Sequence, residues 1–310
     1  ADTAKILGEE RSTIAKSLQM ADALDRHPEI AEAKTLDDAN RILKRIQRSR
    51  DAAAATRKFE ASPAASTDEG VAKQLLARSY MTGDFFELVK ALPDASTQLV
   101  ELDPPYATDL PDIKTAFPIG YTEINPDKYL IFMDSTLQEC ARILAPTGWI
   151  ICWHAFQWQH DIHQILTKHG LNVGSIPGFW VKPSQGQTLQ PLYNLASVIE
   201  PFFYARKSEA VIQRQGRNNR FEYAPIKADL KIHPTERPIE LIQEILTTFA
   251  PPNANIVVPF LGSGNTLLAA NNAKMRALGF ELDQDGIYRN GFVKRVQEGE
   301  LGRFKSYYAE

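Results

Sequence analysis

The chain has 310 residues, 44% of them hydrophobic, and its 35 basic against 38 acidic side chains leave a formal net charge of -3. That length accommodates about two domains with a sizeable core, and no run approaches the roughly 18 to 20 apolar residues of a membrane span. The charge balance excludes a wholesale polyanion binder, so nucleic-acid contact has to come from local basic patches.

The sequence begins at Ala1 inside a helical pattern, which reads as a fragment of a longer polypeptide. Residues 1–60 read as helices only. ADTAKILGEERSTIAKSLQMADAL carries apolar residues at helical spacing with a break at Gly8, and TLDDANRILKRIQRSRDAAAATRKFE is a second helical run capped by Thr35 or Asp37. ASPAASTDEG, residues 61–70, has linker composition and marks the domain boundary.

From about residue 71 strands and helices alternate. ARSYMTGD ends a short strand, FFELVKAL is a helix and TQLVELD a buried-type strand. KYLIFMDSTLQECARIL is a long amphipathic helix stopped by Pro146 and Gly148. The strand GWIICWHA and the helix HDIHQILTKHG follow, then the strand ASVIEPFFYAR and the helix ERPIELIQEILTTFA. The strand NIVVPF, the helix LLAANNAKM, the strand RALGFEL and the helix QDGIYRNGFVKRVQ complete the series. Such alternation predicts an α/β fold, a mostly parallel sheet with helices on both faces and its ligands at the carboxyl ends of the strands. Cys140 and Cys152 have no metal-like spacing and fit a reducing cytosol. His154, His160, His163 and His169 read as surface or packing residues, so no metal is expected.

Three loops fall at strand ends: Gly83-Asp84, Asp103-Pro104-Pro105-Tyr106, and PFLGSGNT at 259–266. In the last, Gly262 and Gly264 let a backbone approach a ligand, and the helix that follows offers its positive N-terminus. No Gly-Lys-Ser/Thr follows, which excludes a phosphate-binding P-loop. Glu281 closes the next strand, where a carboxylate can accept hydrogen bonds from a ribose. Together these features point to a nucleoside-bearing cofactor with a small tail.

Asp-Pro-Pro-Tyr paired with Phe-x-Gly-x-Gly resembles the signature of S-adenosylmethionine-dependent DNA amino-methyltransferases. The order, Asp-Pro-Pro-Tyr first, resembles the permuted beta group. Five blocks carry the resemblance from about Arg78 to Val296: GDFFELVKALPDASTQLVELDPPY, LQECARILAPTGWIICWHAF, FWVKPSQG, HPTERPIELIQEIL and PFLGSGNTLLAANNAKMRALGFELDQD. It implies a Rossmann-like methyltransferase domain over 71–310, with DNA recognition in about 180–232. It further implies that Phe260, Gly262, Ser263, Gly264 and Asn265 wrap the methionine part of S-adenosylmethionine, with Asp103 beside them. Glu281 would bind the ribose, Asp84 the adenine amino group, and His233, Arg237 and Pro238 would close the methionine end. Three positions depart from the family pattern: Val258 replaces an acid, Asn265 a Thr and Arg237 a Lys.

The exocyclic amine of a base is a weak nucleophile because its lone pair is conjugated into the ring. Two prolines fix the loop. The Asp103 carboxylate and the Pro104 carbonyl can then each accept one N–H and aim the lone pair, so positioning and electrostatics supply the rate. A base inside a duplex must flip out to react, and Tyr106 offers it a stacking face, with Trp158 or Phe156 as further contacts. Asp-Pro-Pro-Tyr resembles adenine enzymes more than cytosine ones. Transfer to cytosine N4, RNA or protein N-methylation, and a DNA-binding regulator with an inactive fold are the alternatives.

Double-stranded DNA is the expected partner, read by Lys182, Arg206, Lys207, Arg214, Arg217 and Arg220 in a basic stretch with little apolar periodicity. Ala4, Gly8 and Ile14 fall at the small, turn and core positions of a ParB-like helix-turn-helix, with 12–20 as recognition helix. Such fusions occur in phage and prophage proteins, placing the chain in the cytoplasm of a bacterial or phage-infected cell. A homodimer is implied by the resemblance alone.

Overall fold

In a computed structural model the described residues are 26–33, 35–62, 67–107, 124–183 and 192–305, with Met20 and Leu24. The proposed helix-turn-helix, apart from Met20, lies outside them.

The amino-terminal part contributes α1 (Leu36–Glu60) and α2 (Asp68–Arg78). Thr35 caps α1 by accepting a hydrogen bond from the Asp38 backbone N–H at 3.1 Å, and Asp37 and Asp38 in the first turn favour the helix dipole. Buried Met20, Ile30 and Ala39 gather a small apolar cluster around Ile42 and Leu43. Further along, α1 is fastened to the last helix of the chain: Thr56 donates to the Asn290 carbonyl at 3.5 Å, and Glu60 pairs with Arg289 at 2.7 Å. The helical segment is thus packed on the α/β part through this face.

The alternating part supplies β1 (Tyr80–Thr82), α3 (Phe85–Leu88), β2 (Thr97–Leu102), α4 (Pro126–Ile143), β3 (Leu144–Trp153) and α5 (Gln159–Lys168). It continues with β4 (Asn172–Val173), β5 (Gly178–Val181), β6 (Ile199–Arg206), β7 (Arg220–Glu222) and α6 (Ile239–Phe249). The chain then gives β8 (Asn255–Val258), α7 (Asn265–Asn272), β9 (Arg276–Glu281) and α8 (Ile287–Glu298). Among the described residues the strands form one nine-stranded sheet in the order β1-β9-β8-β2-β3-β6-β5-β7, with β4 also on β6. Pairing is parallel from β1 to β3, and β6 is antiparallel to β3, β4 and β5.

Alternation along each strand sorts the core into two layers. Leu99, Ile151, Trp153, Ile256 and Val258 pack with α6, α7 and α8 on one face. Val100, Leu102, Ile150, Cys152 and Val257 pack with α4 and α5 on the other. Helix α4 buries Tyr129, Met133, Leu137 and Cys140, a stripe at spacings of four and three. Each fully buried side chain of this size stabilises the fold by about 1.5–3 kcal/mol.

Two expectations need correction. The segment assigned to the end of the linker opens α2, because Thr67 caps it by accepting from the Gly70 N–H at 3.1 Å. The strand expected to start at Gly148 starts at Leu144, which pairs with Thr97 before the register jumps to Trp149 opposite Leu99. Pro146 and Gly148 therefore sit in an irregularity inside β3 and not in a loop before it.

Candidate active site

Chain direction away from the sheet reverses between β8 and β2. From β8 the chain passes through α7 to β9 on one side, and from β2 through α4 to β3 on the other. Adjacent strands that diverge in this way leave a crevice at their carboxyl ends. A cavity of about 620 Å³ opens there, lined by Gly83–Phe86, Asp103–Tyr106, His233, Phe260–Ser263 and Glu281–Asp285 among others. The three loops picked out in the sequence, with Glu281, meet in this one place.

The glycine loop presents backbone. Gly262 and Gly264 have φ of +56° and +81°, conformations that side chains resist. A Cβ on Gly262 would lie 3.2 Å from the His233 ring, and one on Gly264 would lie 2.3 Å from Phe292. The Gly262 N–H donates to Glu281 Oε2 at 2.7 Å, and the Tyr80 hydroxyl donates to the Gly262 carbonyl at 2.7 Å. Burial raises the Glu281 carboxyl above its usual value, opposed by the Gly262 N–H. Burial also pushes His233 down to about 3, so the ring over Gly262 is a neutral imidazole at physiological pH. Asp84 caps α3 through the Phe86 N–H at 2.7 Å.

The proline loop presents side chains. The Tyr106 hydroxyl donates to Asp103 Oδ1 at 2.9 Å, and the Trp158 indole donates to the Tyr106 carbonyl at 2.8 Å. Trp158, expected as a wall for the flipped base, thus anchors the loop, while Phe156 is half exposed. Arg237, expected at the cofactor's methionine end, sends its guanidinium to Asp103 Oδ2, to the Tyr106 hydroxyl at 2.8 Å and to Glu200 at 3.1 Å. Its guanidinium carbon lies over the Trp153 ring, 4.0 Å from the centroid. Burial lowers it to about 10, and it stays charged at neutral pH.

Glu101 was missed by sequence reasoning. It is 3% exposed, lines the cavity and accepts from the Trp153 indole at 2.7 Å and the Thr266 hydroxyl at 3.1 Å. Burial raises it and the nearby Arg237 opposes that. The available signal was an acid inside an apolar strand, two residues before Asp103 and therefore on the same face. Val100 pairs with Val257, so Glu101 stands level with Val258, where the family pattern has an acid.

Asn265 joins the two halves. Its amide donates to Glu236 and to the Arg237 carbonyl, both at 2.8 Å, and its oxygen accepts from Arg295 at 2.8 Å. Gly264 and Pro238 do not line the cavity; they precede α7 and α6 directly as their N-caps.

The expected DNA-contact residues divide between the two ends of the sheet. Lys182 pairs with Glu200 at 2.6 Å just beyond β5, and Arg220 opens β7 opposite Phe179. Arg206, however, pairs with Trp149, four residues before Trp153, which is about 13 Å down the strand. Lys207 bonds the Gly148 carbonyl through its backbone, and Arg214 and Arg217 pair with Glu244 of α6 at 3.2 and 3.1 Å. Lys207 and Arg214, whose backbone N–H groups reach the Gly148 and Thr248 carbonyls, lie toward the amino ends of the strands, whereas the Arg217 guanidinium lies 4.2 Å over the Phe221 ring of β7. Among the described residues no cluster of His, Cys, Asp and Glu could hold a metal, and no helix is long and apolar enough to cross a membrane.

Comparison with known proteins bears on the same residues. The chain is 23% identical over 241 residues to the type II methyltransferase M.HpaI of Haemophilus parainfluenzae, covering 70% of this chain and 73% of that one. In fold it is similar to the PvuII DNA methyltransferase (cytosine-N4-specific), with a TM-score of 0.57 at 17% identity over 72% of this chain and 95% of that one. It is likewise similar to a putative DNA modification methylase of Thermus thermophilus complexed with S-adenosyl-L-methionine, with a TM-score of 0.52 at 24% identity over 72% and 95%. The profile of the DNA methylase family N6_N4_Mtase matches residues 97–288, which run from β2 and its proline loop through the glycine loop to Glu281 and the start of α8, and the chain belongs to that family.

Proposed function

We propose that the protein transfers a methyl group from S-adenosylmethionine to the exocyclic amine of a flipped-out base in double-stranded DNA, with adenine N6 as the target. The observation that carries this reading is the shared cavity. Asp103 and Pro104 stand at one wall, and the glycine loop with Glu281 stands at the other.

The residues present fit the proposed cofactor. The cavity is within the roughly 300–1,000 Å³ of small-molecule sites. Its walls carry Asp84, Glu101, Asp103, Glu281, Asp283 and Asp285, a surplus of carboxylates suited to a cationic ligand. Gly262 leaves open the space that a Cβ would fill against His233. Phe260, Gly262 and Ser263 would hold the amino-acid part and Glu281 the ribose, with Asp84 beside the adenine. Glu101 would supply the carboxylate that Val258 cannot. When bound, S-adenosylmethionine supplies an electrophilic methyl group on a sulfonium.

This chain's own work is to hold the amine. The Asp103 carboxylate and the Pro104 carbonyl accept its N–H groups and turn its lone pair outward, and they stabilise the positive charge that develops on nitrogen. Lys182 and Arg220, toward the carboxyl end of the sheet, would meet DNA phosphates. The chain order, proline loop before glycine loop, supports the permuted beta group.

Incubation with labelled S-adenosylmethionine and unmethylated DNA, followed by nucleoside mass spectrometry, tests the reading. N6-methyladenine is the expected product. N4-methylcytosine would overturn the choice of base, and no incorporation together with no calorimetric binding of the cofactor would overturn the reading itself.

A further inference from the structure

We propose that Arg237 is a positioning residue for the base-binding loop, braced by Glu200, and not a ligand of the cofactor; the inference rests on the methyl-transfer reading above. One guanidinium spans both functional side chains of the proline loop. Nη1 donates to Asp103 Oδ2, and Nη2 donates to the Tyr106 hydroxyl at 2.8 Å while the same hydroxyl donates to Asp103 Oδ1 at 2.9 Å. The three groups close a ring of hydrogen bonds, which fixes the carboxylate plane as well as its place. A carboxylate offers about four lone-pair sites. The two used here leave others for the amine of a base, so the ring orients Asp103 without exhausting it.

The brace is built from other elements. Glu200 on β6 accepts from Nη2 at 3.1 Å and is itself held by Lys182 at 2.6 Å. The guanidinium carbon lies over the Trp153 ring, 4.0 Å from its centroid, and the Trp153 indole is spent on Glu101. Arg237 is 6% exposed, and its Nε has no hydrogen-bond partner among the described residues. A buried cation that leaves one donor unmet is kept by the others, and here those others are the proline loop and Glu200. Planarity matters to this arrangement. A lysine could keep the charge, but its single ammonium could not sit over Trp153 and reach Asp103, Tyr106 and Glu200 in the same fork geometry. The chain Lys182–Glu200–Arg237–Asp103 also runs from the proposed DNA edge to the reacting group, so phosphate contact at Lys182 bears on the loop through a single carboxylate.

The test compares wild type, Arg237→Lys, Glu200→Gln and the double variant. Two quantities are read: the initial rate of methyl transfer at saturating DNA and cofactor, and the cofactor Kd by calorimetry. A small misplacement of a reacting group costs up to about a hundredfold in rate, so Arg237→Lys is expected to lose about tenfold or more. Its cofactor Kd stays within about twofold, since the effect lies in kcat and not in ground-state binding. Glu200→Gln loses about threefold, and the double variant loses no more than Arg237→Lys alone, because the two residues act on one loop. Glu200 is partly exposed, so its variant reports even where Arg237→Lys folds poorly. A weakened cofactor Kd with an undiminished saturating rate in Arg237→Lys would overturn the inference in favour of a cofactor role. Unchanged rate and unchanged Kd in both single variants would overturn it as well. Wild-type protein that transfers nothing marks the other failure, that of the methyl-transfer reading, and removes this inference with it.

Discussion

The two loops that meet at the switch point are built on opposite plans. The glycine loop offers main chain: positive φ at Gly262 and Gly264, a carbonyl held by Tyr80 and an N–H held by Glu281. The proline loop offers side chains, with Asp103 and Tyr106 inside a ring of charge completed by Arg237 and Glu200. One half is shaped by what is missing, since no Cβ fits, and the other by what is present. The two halves should therefore fail differently when altered. A change in the proline loop removes chemistry first, whereas a change in the glycine loop spoils the shape first.

The largest separation is expected from Asp103→Ala. Methyl transfer should fall at least about a hundredfold, because a preorganised acceptor on the reacting nitrogen is gone. Cofactor Kd by calorimetry should move by no more than about threefold. Retained transfer would show that the carboxylate is not the amine acceptor. Gly264→Ala is the counterpart in the other half. Its Cβ would lie 2.3 Å from Phe292, a ring buried in the core, at a φ that alanine resists. Overpacking and backbone strain together should cost about 2–4 kcal/mol of stability. A thermal midpoint near that of wild type would mean the loop is soft and the contrast between the halves is wrong.

The same contrast decides how much could be read from the sequence. Both loops were legible because each is a local motif: two prolines fix one chain path and two glycines permit the other. The strand–helix order predicted the sheet, since parallel strands buried on both faces are nearly continuous apolar runs. Partnerships across the sheet were not legible. Nothing local says that Arg237 reaches back to Asp103, which depends on how the segment before α6 docks, or that Glu101 will stand level with Val258, which depends on strand register. The placement of the basic stretch was not legible for the same reason. Its charges are contiguous in sequence, yet the antiparallel course of β6 carries Arg206 and Lys207 to the far end of the sheet from Lys182. Helix α2 was hidden by the small polar residues before it, where Thr67 served as a cap although it read as linker.

Gly262→Ala sharpens the comparison with a smaller effect. Its Cβ would meet the His233 ring at 3.2 Å, a contact that a modest ring shift relieves, so the fold should lose only about 1 kcal/mol. The lost space is cofactor space, so the cofactor Kd should rise about tenfold or more while the thermal midpoint drops little. Equal damage to affinity and stability would make Gly262 an ordinary turn residue.

The smallest effect concerns protons, and each half has a neutral imidazole to report it. His233 covers the glycine loop, and His154 follows Trp153 at the end of β3, 1% exposed and stacked on Phe203 at 4.5 Å. Its Nε2 has no partner among the described residues, and burial pushes the ring down to about 4. The unfolded chain takes up this proton near pH 6.5, whereas the folded chain does so only near 4. The stability contributed by the neutral ring is therefore fully present above pH 6.5 and lost as pH falls toward 4, by about 1.4 kcal/mol per unit. His154→Phe keeps a ring on Phe203 and removes the titration. The difference in unfolding free energy between wild type and variant should shift by about 1.2 kcal/mol between pH 7 and 5.5, in the variant's favour. His233, lowered to about 3, and the carboxyls of Glu101, Glu281 and Asp283, raised by burial, titrate alike in both proteins and cancel. A pH-independent difference would mean that His154 finds a proton acceptor in the folded protein, and that the sheet end behind the proline loop is wetter than its packing implies.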